Sequence, residues 1–272
     1  MLASVSLRTY DGRVLEACIH SSYGADIVPA MNTAAQGSLF VHPVVVRWRN
    51  RLRHNRVLRD LYTRWVARHD YEERFSNALL AAVRPGDVVW DIGANVGWYA
   101  ERFLARQAAA VVCFEPAPAA VNELHSRFAA AHRVKIVPVG LSNVKGTVRF
   151  AADGAAPTNR IVANAAQAGA IDVPVLSGDE AKVVYDLPSP AIVKVDVEGF
   201  EWEVIAGLRE ILRAPTLRGV FIEVHFALLH ERGLDDAPDR IVKTLQDHGF
   251  RVRWLDPSHL AAERALQVIG QS

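Results

Sequence analysis

Cysteine is nearly missing from this chain. Only Cys18 and Cys113 occur in 272 residues, so no disulfide framework is expected and a reducing compartment is the default. Cys113 sits inside an apolar run and reads as a small buried hydrophobe. Net charge is also lacking, since 31 Lys and Arg stand against 30 Asp and Glu, for a sum of +1. That balance gives no global pull toward nucleic acid or an anionic membrane. Long apolar runs are absent too. Ala108 to Phe114, the longest, falls far short of the roughly 20 residues a spanning helix needs. Met1 to Arg13 holds no apolar core of the kind a secretory leader uses. These absences predict a cytoplasmic protein with no membrane partner. They leave enzymes open, because half the residues are hydrophobic and can build a full core.

One stretch organises the rest: Val88-Val89-Trp90-Asp91-Ile92-Gly93-Ala94-Asn95-Val96-Gly97-Trp98-Tyr99-Ala100. It begins as a buried strand, breaks into a glycine turn, and continues with helical spacing. A strand running through such a turn into a helix makes a small-molecule cradle, because glycine permits close backbone approach and the helix start offers free N–H groups. The spacing is not the G-x-G-x-x-G of dinucleotide sites. Asp91 at the strand tip would repel a diphosphate and suits a ligand with a cationic amino-acid part, which favours S-adenosylmethionine over NAD. Val111 to Phe114 reads as the second strand, with Glu115 and Pro116 at its end. An acid about 20 residues past the glycine turn is where a ribose diol is held.

Elsewhere the pattern is that of alternating strands and helices. Ser4–Tyr10 and Arg13–His20, split by Asp11-Gly12, predict a hairpin. Residues 43–69 read as a helix carrying Arg47, Arg49, Arg51, Arg53, Arg56, Arg59, Arg64 and Arg68. A charge run of this kind is most simply a solvated face. Residues 71–83 give a clearer helix, stopped by Arg84-Pro85-Gly86. Strands follow at 88–92, 111–115, 134–139, 191–196 and 218–224, with helices between. Residues 144–176 interrupt the alternation as an inserted hairpin, 147–151 with 171–176. Residues 251–255 and 266–269 close the sheet. The expected fold is a doubly wound α/β sheet with right-handed crossovers. We divide the chain at residue 70 into an N-terminal extension and a ligand-binding domain over 71–272.

Two further stretches carry chemistry. In Ile192-Val193-Lys194-Val195-Asp196-Val197-Glu198-Gly199, Lys194 and Asp196 face one way, because strand side chains alternate. A lysine inside a buried strand needs an acid beside it, so Lys194 reads as structural, while Asp196 and Glu198 reach the ligand edge. In Phe221-Ile222-Glu223-Val224-His225, Glu223 and His225 share a side. Histidine is the side chain best poised to take a proton near neutrality, so His225 is the candidate base, oriented by Asp196 or Glu223. Asp196, Glu223 and His225, with Glu198, could instead hold a divalent metal. Their spacing matches no metal motif, so none is predicted.

Taken together and in order, Asp-Ile-Gly-Ala-Asn-Val-Gly, Phe-Glu-Pro, Lys-Val-Asp-Val-Glu-Gly-Phe-Glu and Ile-Glu-Val-His resemble the FkbM family of S-adenosylmethionine-dependent methyltransferases. The resemblance covers roughly residues 71–255. It implies a seven-stranded class I methyltransferase fold and O-methylation of a hydroxyl on a sugar, polyketide or similar small molecule. By position it implies that Asp91, Gly93, Asn95, Gly97, Glu115 and Pro116 hold the cofactor, with Ser142 near its adenine. Asp196, Glu198, Glu223 and His225 would line the reacting edge, Asp196 also facing the cofactor and Glu198 and His225 the substrate. Asn143 departs from the family, whose members commonly carry an acid there. The first 65 residues fall outside the resemblance and suit substrate choice or a contact between two copies. Rival readings are a nicotinamide-dependent oxidoreductase, a non-catalytic cofactor binder, and a nucleic-acid methyltransferase using the arginine stretch.

Overall fold

A computed structural model describes residues 5–10, 13–19, 71–151, 160–161 and 170–264, with side chains over 73–149 and 171–264. The chain divides into two units, Met1–Ser38 and Leu39–Ser272. In the first, β1 (Val5–Tyr10) and β2 (Arg13–Ile19) form the expected antiparallel hairpin, with Tyr10 opposite Arg13 and a register shift between Arg8 and Thr9. The expected helix over 43–69 with its arginines, and the strand expected at 266–269, lie outside the described residues.

The second unit opens with α1 (Tyr71–Ala82), β3 (Val88–Ile92), α2 (Trp98–Ala105), β4 (Ala110–Phe114), α3 (Pro118–Arg127) and β5 (Val134–Val137). An insertion follows: β6 (Gly140–Ser142), β7 (Gly146–Ala151), β8 (Arg160–Ile161) and β9 (Ala170–Ser177). Alternation resumes with α4 (Gly178–Val184), β10 (Ile192–Val195), α5 (Glu201–Ala206), α6 (Arg209–Arg213) and β11 (Gly219–Glu223). The described part closes with α7 (Phe226–Glu231), α8 (Ala237–Asp247), β12 (Arg251–Trp254) and β13 (His259–Glu263).

Seven strands make the main sheet, in the order β12-β13-β11-β10-β3-β4-β5. The run from β11 to β5 is parallel, and β13 pairs antiparallel with both neighbours. The reversed strand is 259–263, and of the two stretches expected to close the sheet 251–255 is found as β12. Parallel strands bury both faces, which is why they read as unbroken apolar runs. Val89, Val111 and Cys113 pack with Phe75, Leu79, Phe103 and Leu124 on one side. Trp90, Ile92, Val112 and Phe114 pack with Val204, Ile205, Leu212, Ile241 and Leu245 on the other.

The insertion is a second sheet, β6-β9-β7-β8, in which the expected pair β7 and β9 runs antiparallel and β6 adds parallel to β9. The segment between β10 and β11 folds as two helices, α5 and α6. A Cβ at Gly207 would stand 2.0 Å from the Ser142 carbonyl oxygen, so the backbone of β6 abuts the junction of α5 and α6. No helix among the described residues is long and apolar enough to cross a membrane.

Candidate active site

Four strand tips meet at one edge of the sheet: those of β3, β4, β10 and β11. The turn after β3 is shaped by left-handed backbone at Gly93 (φ 76°), Asn95 (φ 48°) and Gly97 (φ 83°). The amides of Gly93 and Ala94 both donate to the Phe114 carbonyl, at 3.0 and 3.1 Å. Both glycines are required by the protein's own packing. A Cβ on Gly93 would lie 1.8 Å from the Asp196 carbonyl oxygen, and one on Gly97 would lie 2.4 Å from the Phe128 ring.

Register decides what Asp91 does. Lys194 stands directly across from Asp91 in the β10–β3 ladder, so both side chains leave the same face. The Lys194 ammonium lies 3.1 Å from Asp91 Oδ1 and 3.5 Å from Asp196 Oδ2, and donates to the Gly93 carbonyl at 2.9 Å. Asp91 is fully buried. Burial raises its carboxyl above the ordinary range, with Lys194 opposing. For Lys194 burial works against the charge, yet Asp91 and Asp196 outweigh it and hold the ammonium well above its usual range. Tyr99 covers the group, its ring 5.2 Å from Nζ.

Beside this pair opens a cavity lined by Gly93, Asn95, Glu115, Pro116, Leu141, Asp196, Glu198 and Phe200, with Val148, Val173 and Val175 from the insertion. Glu115 is nearly buried. Its Oε2 accepts from the Asn95 amide and its Oε1 from the Ala117 amide, each at 2.9 Å. Burial raises this carboxyl, and the two amides pull it back. Each oxygen keeps a second lone pair, the acceptor capacity a diol needs. Asp91 and Ser142 are not among the lining residues. Ser142 is buried behind the wall, its hydroxyl 3.4 Å from Asn143 Oδ1.

At the far end of the edge, His225 stands among four carboxylates. Its Nδ1 lies 2.7 Å from Glu201 Oε1. Its Nε2 faces Glu198 at 3.4 Å, Asp196 at 3.7 Å and Glu223 at 3.8 Å. The residue that fixes the ring is therefore Glu201, not Asp196 or Glu223. It is wholly buried in the first turn of α5, where Oε1 also accepts from the Gly199 amide at 2.8 Å. Burial disfavours the imidazolium, but Glu201 first, then Glu198 and Asp196, raise its pKa to about 10.

A second buried pair supports Glu223. His259 Nδ1 lies 2.7 Å from Asp256 Oδ2, and its Nε2 lies 3.5 Å from Glu223 Oε2. Its ring stacks on Phe75 at 4.4 Å between centroids. Burial would raise the Glu223 carboxyl, yet His259 and His225 hold it well below the usual range. Sequence reasoning assigned no role to Glu201, Asp256 or His259. The acid-x-x-His spacing of Asp256 and His259 was the available signal. Nothing in the local pattern marks Glu201 as buried.

The strand order with its one reversed strand, the glycine turn and the acidic edge define a class I methyltransferase fold. The chain belongs to the FkbM methyltransferase family, whose model, described as "Methyltransferase FkbM domain", matches residues 91–252. It is 32% identical over 161 residues to the hexuronic acid methyltransferase AglP of Haloferax volcanii, covering 57% of this chain and 62% of that protein. The match thus spans less than two thirds of AglP. It is 30% identical over 203 residues to the 31-O-demethyl-FK506 methyltransferase FkbM of Streptomyces tacrolimicus, covering 62% and 75% of the two chains. It is 30% identical over 146 residues to the 2-O-methyltransferase NoeI of Sinorhizobium fredii, covering 47% and 60%.

Proposed function

We propose that this chain transfers the methyl group of S-adenosylmethionine to a hydroxyl oxygen of a small molecule, of the sugar or polyketide kind that the relatives' names describe. The observation that carries this reading is the chemistry of the cavity. Among the described residues three carboxylates line it, Glu115, Asp196 and Glu198, and no lysine or arginine does. A diphosphate would meet only repulsion there, whereas a ligand bearing a sulfonium and an ammonium meets complementary charge. The nicotinamide reading is correspondingly weakened. In this assignment Glu115 takes the ribose hydroxyls. The apolar side chains of Leu141, Val148, Val173 and Val175 take the adenine. Gly93, Asn95 and Asp196 border the amino-acid end. Asp91 acts one step back, by holding Lys194 and with it the Gly93 carbonyl and Asp196.

When bound, S-adenosylmethionine supplies an electrophilic methyl group. The protein's part is to hold the acceptor oxygen in line with the carbon–sulfur bond and to receive its proton. His225 presents Nε2 to this edge, where it can hydrogen-bond the acceptor oxygen. The carboxylates of Asp196, Glu198 and Glu223 around it are the candidate proton acceptors. The reading is tested by calorimetry with S-adenosylmethionine, its demethylated product and NAD, followed by transfer of labelled methyl to sugars with free hydroxyls. Binding of the first two and not the third is expected. Glu115→Gln should weaken cofactor binding by roughly 10- to 150-fold, since one charged hydrogen-bond acceptor is worth about 1.5–3 kcal/mol. NAD binding with no heat from either sulfur compound would overturn the reading.

A further inference from the structure

We propose that Asp196, Glu198 and His225 form a site for one divalent transition-metal ion at the acceptor end of the cavity. The site stands on geometry alone; its use in activating the acceptor rests on the methyl-transfer reading above.

One ligand atom from each of the three residues lies within 4.8 Å of the other two. His225 Nε2 is 3.4 Å from Glu198 Oε2 and 3.7 Å from Asp196 Oδ1. Adjacent ligands around an ion with bonds of about 2.1–2.3 Å stand about 3.0–3.3 Å apart. The two histidine–carboxylate spacings thus need to close by only a few tenths of an ångström, and the two carboxylates stand within 4.8 Å of each other. The imidazole is oriented for coordination, because Glu201 holds Nδ1 from behind and Nε2 faces the carboxylates; an entering ion displaces the Nε2 proton. A carboxylate on the far nitrogen is the usual companion of a metal-bound histidine. Glu201 is wholly buried, so that orientation is fixed by the core rather than by solvent-exposed side chains.

The backbone points the same way. Glu198 has left-handed φ (50°), and Gly199 follows at 92°. The β10 chain therefore folds back, bringing Glu198 beside Asp196 instead of carrying it outward. Glu223 is the third acid near Nε2 and the farthest, its Oε1 at 3.8 Å, and its Oε2 faces His259. The third ligand is therefore Glu198, not the Glu223 of the sequence-based set. One imidazole nitrogen with two carboxylate oxygens suits Mn²⁺, Fe²⁺, Co²⁺ or Zn²⁺ better than the all-oxygen shells of Mg²⁺ and Ca²⁺. Three protein ligands leave positions open, and oxygen atoms of a hydroxyl-bearing acceptor can take them. A hydroxyl held there loses its proton more readily, and the proton passes to Glu223, the carboxylate beside Nε2 that is not a ligand, as the oxygen–carbon bond forms and the carbon–sulfur bond breaks.

The test is a titration of chelator-treated full-length protein with MnCl₂, read by the loss of the free-ion electron paramagnetic resonance signal. One ion per chain is expected. Glu198→Gln should weaken binding at least about 10-fold by removing a charged ligand, and Glu201→Gln by roughly 10- to 100-fold by releasing the histidine. Glu198 is only half-buried, so its variant carries the test if Glu201→Gln does not fold. Absence of Mn²⁺ binding up to millimolar concentration, or binding unchanged in folded Glu198→Gln, overturns the site. Calorimetry with S-adenosylhomocysteine on the same samples keeps the two readings apart. Metal binding without cofactor binding leaves the site standing and removes its role in methyl transfer.

Discussion

Lys194 shows how one residue can be read correctly in type and incompletely in consequence. A lysine in a buried strand demands an acid, and the sequence offers Asp196 two positions away. The structure gives it Asp91 as well, across the ladder and closer. Removing one member of such a buried pair costs about 3–5 kcal/mol, because the other charge is stranded. Lys194→Met is expected to lose that much in urea unfolding, and Asp91→Leu with Lys194→Met to recover a large part of it. The double variant also asks what Asp91 does. If its carboxylate touches the cofactor directly, S-adenosylmethionine affinity falls further than in Lys194→Met alone. If it acts through Lys194, the two variants bind alike.

The glycine turn after β3 was legible because strand, turn and helix signals adjoin in the chain. Its reason was not. From the sequence, Gly93 and Gly97 make room for a ligand; in the structure the space beside them is filled by Asp196 and Phe128, which are distant in sequence. Gly86 provides a control, since it too has positive φ (86°), but a Cβ placed there would meet no described atom within 4 Å. Gly86→Ala should cost only the left-handed penalty of about 1–2 kcal/mol. Gly93→Ala adds a backbone collision and should cost clearly more, or prevent folding. Equal losses in denaturant unfolding would mean that the close approach of β3 and β10 is not what fixes this glycine.

Across the molecule, the acidic edge is stabilised by histidines that arrive from different elements. His259, on β13, faces Asp256 on one side and Glu223 on the other and stacks on Phe75 of α1. Burial disfavours its charge, but Asp256 and Glu223 raise its pKa from 6.5 to about 9. A raised folded-state value means that its contribution is complete below 6.5 and is lost as pH rises through 9. The melting temperature of the wild type should therefore exceed that of His259→Gln by several degrees at pH 6, and the gap should narrow toward pH 10. A gap that stays constant or widens with pH would show that the pair is held by packing and not by charge.

The sequence by itself determined the alternation of strands and helices, the inserted hairpin, the glycine turn and the acids at the tips. Each of these is written in neighbouring residues as a period, a turn signal or a strand end. The tertiary structure alone decided which tip group meets which partner. Asp91 faces Lys194, Glu201 holds His225, and His259 steadies Glu223 because of inter-strand register and burial depth. Those quantities join residues as far apart as Asp91 and Lys194, and no local pattern carries them. The same limit applied to the sheet's reversed strand: local pattern carried no strand direction, and pairing with β11 and β12 places it at His259–Glu263.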